Sequence, residues 1–126
     1  MSLESPLGKF LGYGSAKEGT EHWWAQKLTA VALVPLTLWF AIAMLGLDVA
    51  DLTAVKAWIS SPVNAIPLIL LLIAGLYHSM IGLQVIVEDY VHGALKVVTL
   101  IALKLVHWAL AVAGIYSVIV ISVGAA

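Results

Sequence analysis

The chain has 126 residues, 63% of them hydrophobic and 10% charged, with a mean hydropathy of +1.07, a balance that no water-soluble domain of this size tolerates on its surface. A formal net charge of −1, with only six basic residues and all of them lysine, excludes a field for gripping nucleic acid. The lack of cysteine excludes disulfides, iron-sulfur ligation and thiol catalysis within this chain, so any such centre must sit on a partner.

The N-terminal stretch up to Trp24 is mostly polar and glycine-rich, with neither the short apolar core and cleavage site of a secretory signal nor the arginine-rich pattern of a transit peptide. The expectation is a protein made without a removable leader and placed in a bacterial inner membrane, with an organelle protein in mature form as the alternative. Next comes Glu21-His22-Trp23-Trp24-Ala25-Gln26-Lys27, polar, aromatic and cationic at once. It reads equally as an interfacial anchor and as a site where Lys27 neutralises an acidic group of a cofactor or partner.

The first uncharged run, Leu28 to Leu47, is twenty residues long, and the second, Ala65 to Val87, is twenty-three. The third is apolar from Val97 to the C-terminus apart from Lys104 and His107. Each is long enough to cross a hydrocarbon core of roughly 30 Å as a helix. No stretch alternates over the length of a barrel strand. The fold expected is an all-α membrane protein, one transmembrane domain over residues 1–126, with spans at about 25–47, 65–88 and 94–122. Pro62 and Pro67 flank or open the second span, where a missing N–H costs least.

The linker from Asp48 to Asn64 reads as a polar loop with one interfacial turn. The second linker, Glu88 to Gly93, is short enough to make spans two and three a tight antiparallel hairpin. Lys9, Lys17 and Lys27 precede span one and Lys96 follows span two, against Lys56 alone in the first loop. The positive-inside bias therefore predicts a cytoplasmic N-terminus and a cytoplasmic corner at Asp89-Tyr90. Trp23, Trp24 and Trp58 lie beside span ends as an aromatic belt would, and Trp39 and Trp108 read as packing or lipid contacts.

Span two carries the chemistry. His78 is separated by ten residues from the pair Asp89-Tyr90. Eleven positions are close to three helical turns, so Asp89 shares the face of His78 and sits roughly 16 Å nearer the membrane surface. A polar residue in hydrocarbon reads as functional by default, although a histidine satisfied by a neighbouring helix is an equal prior. Gly75 and Gly82 flank His78 on its face with Ser79 beside them, a shallow trough that admits either a close helix or a flat porphyrin with the imidazole on iron. A second axial ligand is then needed. His107 is one candidate, a histidine of another subunit the preferred one, and Lys104 reads first as a residue snorkelling to the interface.

Asp89 at a helix C-terminus is on the unfavourable side of the macrodipole, which argues for a role other than helix stability. Reducing a quinone takes two electrons and two protons, which suits a rim where the quinone head leaves lipid and protons enter. A phenol such as Tyr90 can hydrogen-bond a quinone carbonyl, and a carboxylate such as Asp89 can orient the phenol or relay protons, with Glu88 and His92 as possible extensions.

His78, the ten-residue gap and Asp89-Tyr90 on the second of three spans, together with the segment from Gly19 to Ala30 ahead of span one, resemble the membrane-anchor subunits of bacterial succinate dehydrogenase, complex II. The resemblance covers nearly the whole chain. It implies a non-catalytic anchor within an enzyme of the tricarboxylic acid cycle and electron transport, part of a heteromeric helix bundle. It further implies that His78 is an axial ligand of haem b, the other axial histidine coming from a second membrane-anchor subunit, a cytochrome b. Tyr90 would hydrogen-bond ubiquinone, the substrate, with Asp89 supporting the site. A flavoprotein subunit and an iron-sulfur subunit would dock on the cytoplasmic face and carry electrons from succinate. Where the resemblance leads one to expect arginine, this chain has Lys27, which keeps the charge but not the bidentate fork, and its role toward a haem propionate is weakened accordingly. The alternatives are a fumarate reductase anchor working in the opposite direction, and a haem-free proton-conducting or assembly protein in which His78 and Asp89 form a proton path.

Overall fold

A computed structural model describes residues 16–124, and Lys9 lies outside them. Four helices account for almost all of this region: α1 (Ala16–Leu45), α2 (Leu52–Ser60), α3 (Pro62–Tyr90) and α4 (Gly93–Ser122). Three are long and apolar enough to cross a membrane, at Thr20–Leu45, Pro62–Tyr90 and Gly93–Ser122, and no strand occurs among the described residues. The fold is therefore all-α, as expected. The helices run further than the apolar runs because polar residues such as Glu21, Gln26 and Glu88 continue the same backbone ladder into the interface.

The long helices are apolar on every side, as membrane spans are. Among the described residues only Ala65, Ile81 and Val118 are buried, while Leu28, Val31, Leu38, Ile42, Ile101 and Leu105 are among the many apolar side chains left facing outward. A water-soluble domain would fold to hide these groups; here lipid or partner helices cover them.

Helix α3 is the middle element. It packs along α1 on one side and α4 on the other, and α1 and α4 do not meet. The outer spans are therefore joined through α3 along their length. The Tyr90 end of α3 turns into α4 through Val91 and His92 alone, helped by Gly93 at φ +66°, a left-handed value that favours glycine. Lys96 Nζ donates to the Glu88 carbonyl at 3.1 Å and so meets the negative end of α3 with a positive charge.

The first linker departs from the expected loop. Asp51 accepts a hydrogen bond from the Thr53 amide at 2.8 Å and caps α2, a nine-residue helix that passes into α3 through Ser61. Composition hid this helix because its polar residues look like loop, whereas the cap satisfies a free amide and the apolar members Val55, Trp58 and Ile59 are partly covered. Ser60 Oγ lies 3.2 Å from the Ile121 carbonyl and Ser122 Oγ 3.3 Å from that of Ile59, each hydroxyl shared with a nearer carbonyl of its own helix, Lys56 at 2.8 Å and Val118 at 2.7 Å, and these contacts join α2 to the end of α4. Trp58 stacks on Trp39 with ring centroids 5.7 Å apart, which ties α2 to α1 as well. Asn64 Nδ2 donates to the Trp58 carbonyl at 2.9 Å, across the bend into α3.

Candidate cofactor and quinone site

The seam between α1 and α3 has a regular antiparallel register. A methyl added at Gly82 would lie 3.4 Å from Gln26 Nε2, and one at Gly75 would lie 3.8 Å from Leu33 Cδ2. Between these two contacts Thr29 Oγ1 stands 3.1 Å from His78 Nδ1. Residues 26, 29 and 33 thus face 82, 78 and 75, one turn at a time. Side chains of α1 lie against both glycines, so the trough expected beside His78 is filled by a neighbouring helix of the same chain at these two positions. His78 itself is half-buried.

Donor counting assigns a tautomer to His78. Thr29 Oγ1 also lies 2.8 Å from the Ala25 carbonyl and 3.1 Å from that of Gln26, and a carbonyl can only accept. The single hydroxyl hydrogen goes to these carbonyls, so the oxygen accepts from the imidazole. In the neutral ring Nδ1 then carries the hydrogen, and Nε2 keeps its lone pair without a hydrogen-bond partner among the described residues.

His107 is arranged the other way. Its Nδ1 lies 2.8 Å from the Leu103 carbonyl and donates to it, and its Nε2 lies 3.2 Å from Ser79 Oγ and accepts from that hydroxyl. Both nitrogens are engaged, so His107 joins α4 to α3 and has no lone pair to offer a metal. No cluster of three or more metal-binding side chains exists among the described residues. Of the two mid-span histidines only His78 keeps a nitrogen without a partner among the described residues, while His22 and His92 are exposed near the ends of α1 and α3; one such imidazole fits a single ligand position of a haem.

Asp89 and Tyr90 end α3, both exposed, Tyr90 at 79%. Neither side chain hydrogen-bonds the other or any other described residue, so the carboxylate does not orient the phenol within this chain. Glu88 is held by Gln84 Nε2, which donates to its Oε1 at 2.8 Å. Lys27 Nζ lies 4.5 Å above the Trp23 ring, a cation–π contact at the same end of the molecule. Lys104 is exposed.

Two features escaped the reading of the sequence. Thr29 was one polar residue in an apolar run, and its meeting with His78, 49 positions away, leaves no local signal. Gln26 Oε1 is a buried side-chain oxygen with no hydrogen-bond partner, one turn from Thr29 toward the Tyr90 end. On the outer side of the seam a groove of about 300 Å³ opens between Leu28, Thr29, Ala32 and Leu36 of α1 and Leu70, Ile73, Ala74 and Tyr77 of α3. Its lining is apolar apart from the hydroxyls of Thr29 and Tyr77.

The family model for the succinate dehydrogenase/fumarate reductase transmembrane subunit matches residues 1–121. The succinate dehydrogenase hydrophobic membrane anchor subunit of Rickettsia bellii (strain RML369-C) is 40% identical over 93 residues, 73% of this chain and 74% of the relative. The protein of the same name from Paracoccus denitrificans is 33% identical over 117 residues, 90% of this chain and 88% of the relative. That of Rickettsia conorii (strain ATCC VR-613 / Malish 7) is 33% identical over 90 residues, 71% of each. No solved structure matches. With a match across nearly its full length and three apolar spans of the required length, the chain belongs to the succinate dehydrogenase/fumarate reductase transmembrane subunit family.

Proposed function

We propose that the chain is a membrane anchor of succinate:ubiquinone oxidoreductase in a bacterial inner membrane, supplying one axial ligand to haem b and part of the site where ubiquinone is reduced. The observation that carries this reading is the contrast between the two mid-span histidines, His78 and His107. His78 keeps Nε2 available while Thr29 holds Nδ1, and His107 has both nitrogens engaged. A ligating imidazole commonly has its other ring nitrogen held in this way. The second axial histidine would come from a partner anchor subunit, a cytochrome b, since His107 has both nitrogens engaged and His22 and His92 lie near the ends of α1 and α3 rather than at the mid-span position of His78.

Bound there, haem b supplies a one-electron carrier inside the bilayer. His78 would hold it at depth, and Lys27, which rests on Trp23 nearer the Tyr90 end of α1, would offer a positive charge toward a propionate. The N-terminus and the Tyr90 end lie on the cytoplasmic side, as the lysine distribution favours. There the iron-sulfur and flavoprotein subunits dock and deliver electrons drawn from succinate. Tyr90 donates its phenolic hydrogen to a quinone oxygen and Asp89 passes protons from water, so that quinone gains two electrons and two protons to become quinol. The exposure of both side chains, and their lack of side-chain partners among the described residues, support this role. The names of the curated relatives favour succinate oxidation over the reverse direction.

The test is a reduced-minus-oxidised spectrum of the purified complex. A haem b band is expected, and His78→Ala should abolish it; an assembled complex whose spectrum is unchanged by His78→Ala would remove the haem assignment.

A further inference from the structure

The geometry points to Thr29 as the positioning residue that sets the tautomer and donor strength of His78, and through it the reduction potential of the haem iron; the inference rests on the haem reading above. Thr29 never touches the metal. It acts through the ring nitrogen on the far side of the imidazole.

Three observations carry this. The Thr29 hydroxyl is anchored within its own helix, its hydrogen directed to the Ala25 and Gln26 carbonyls at 2.8 and 3.1 Å, which leaves oxygen lone pairs for His78 Nδ1 at 3.1 Å. A β-branched side chain so tethered has little rotamer freedom, so the acceptor is fixed in space before any cofactor arrives. The contact also sits at the centre of the α1–α3 seam, between Gly82 against Gln26 and Gly75 against Leu33. At this level the two helices pack so that the oxygen and the ring meet at hydrogen-bonding distance. The hydroxyl therefore points the ring and selects which nitrogen is bare.

The electronic consequence has a definite sign. An imidazole whose N–H donates to an oxygen gains electron density on its other nitrogen, binds ferric iron more strongly and lowers the potential of the couple. Removing the acceptor raises the potential and frees the ring to rotate.

Thr29→Val keeps the shape and removes the hydroxyl, and Thr29→Ser keeps the hydroxyl and removes the methyl. Both are made in the full complex, with haem content per complex, the midpoint potential from a redox titration, and the low-temperature electron paramagnetic resonance g-values of the ferric haem measured for each. The expected result is a more positive potential and shifted g-values in Thr29→Val, with Thr29→Ser close to the unmodified complex. A Thr29→Val complex with full haem, unchanged potential and unchanged g-values overturns the proposal, as does a Thr29→Ser complex that shifts as far as Thr29→Val. If Thr29→Val carries no haem, haem retained in Thr29→Ser supports the role of the hydroxyl, and haem absent from both overturns it in favour of packing. His78→Ala is run alongside: a spectrum unchanged in that variant counts against the haem reading itself.

Discussion

Ser79 Oγ lies 3.2 Å from Nε2 of His107, one position along α3 from the imidazole that Thr29 holds by Nδ1. His78 and Ser79 thus look in different directions from one helix and close its two seams at the same depth, toward α1 and toward α4. The central span is pinned at this level on both sides, and the pinning spends the hydrogen-bonding capacity of His107 while sparing Nε2 of His78.

The two histidines should therefore respond differently to removal. His78→Ala in the intact complex is expected to eliminate the haem b band, whereas His107→Ala is expected to leave haem content unchanged. Pyridine haemochrome assay of both variants checks this, and equal haem loss in the two would contradict the assignment of tautomers.

Ser79→Ala leaves His107 Nε2 without a partner between α3 and α4. Interhelical hydrogen bonds within membranes average about 0.6 kcal/mol, so a loss of roughly that size is expected. Reversible unfolding in mixed detergent micelles measures it, with the haem spectrum expected to stay as it was. A loss of several kcal/mol would mean that the serine does more than satisfy one imidazole.

At the rim, Tyr90→Phe removes the phenolic hydrogen and nothing else. Succinate-dependent quinone reduction should fall by about tenfold or more, the equivalent of losing one well-placed hydrogen bond, while haem content stays constant. Asp89→Asn should slow turnover more than it weakens quinone binding, since it removes a proton carrier rather than a contact. Turnover and KM for quinone, measured together, separate the two effects.

The α3–α4 seam depends on Gly114, where an added methyl would sit 3.2 Å from Leu72 Cδ1. Gly114→Ala asks Leu72 to shift slightly, and Gly114→Ile exceeds the space that a rotamer change can supply. Assembly of the complex in membranes should be mildly affected by the first and strongly by the second, read as the yield of haem-containing complex.

Asp51→Ala removes the cap of α2 and should cost about 1 kcal/mol locally. Faster hydrogen exchange at Thr53, Ala54 and Val55, with α3 and α4 unaffected, is the expected signature.

The three spans were legible in the amino-acid sequence because length and apolarity are local properties and hydrocarbon leaves a backbone no option but to satisfy itself within one helix. The positions of His78, Asp89 and Tyr90 along one span were legible for the same reason, since helical spacing follows from residue number alone. Helix α2 was not, because a nine-residue amphipathic segment depends on its cap and on the neighbours it meets, Trp39 and the end of α4. Nor were the pairings of Thr29 with His78 and of Ser79 with His107. They depend on how antiparallel helices slide into register, a matter of close packing at Gly75 and Gly82 and of which carbonyls have already claimed a hydroxyl hydrogen. Those choices leave one imidazole with a bare nitrogen and the other with none, a difference that no property of either histidine's immediate neighbours in the chain encodes.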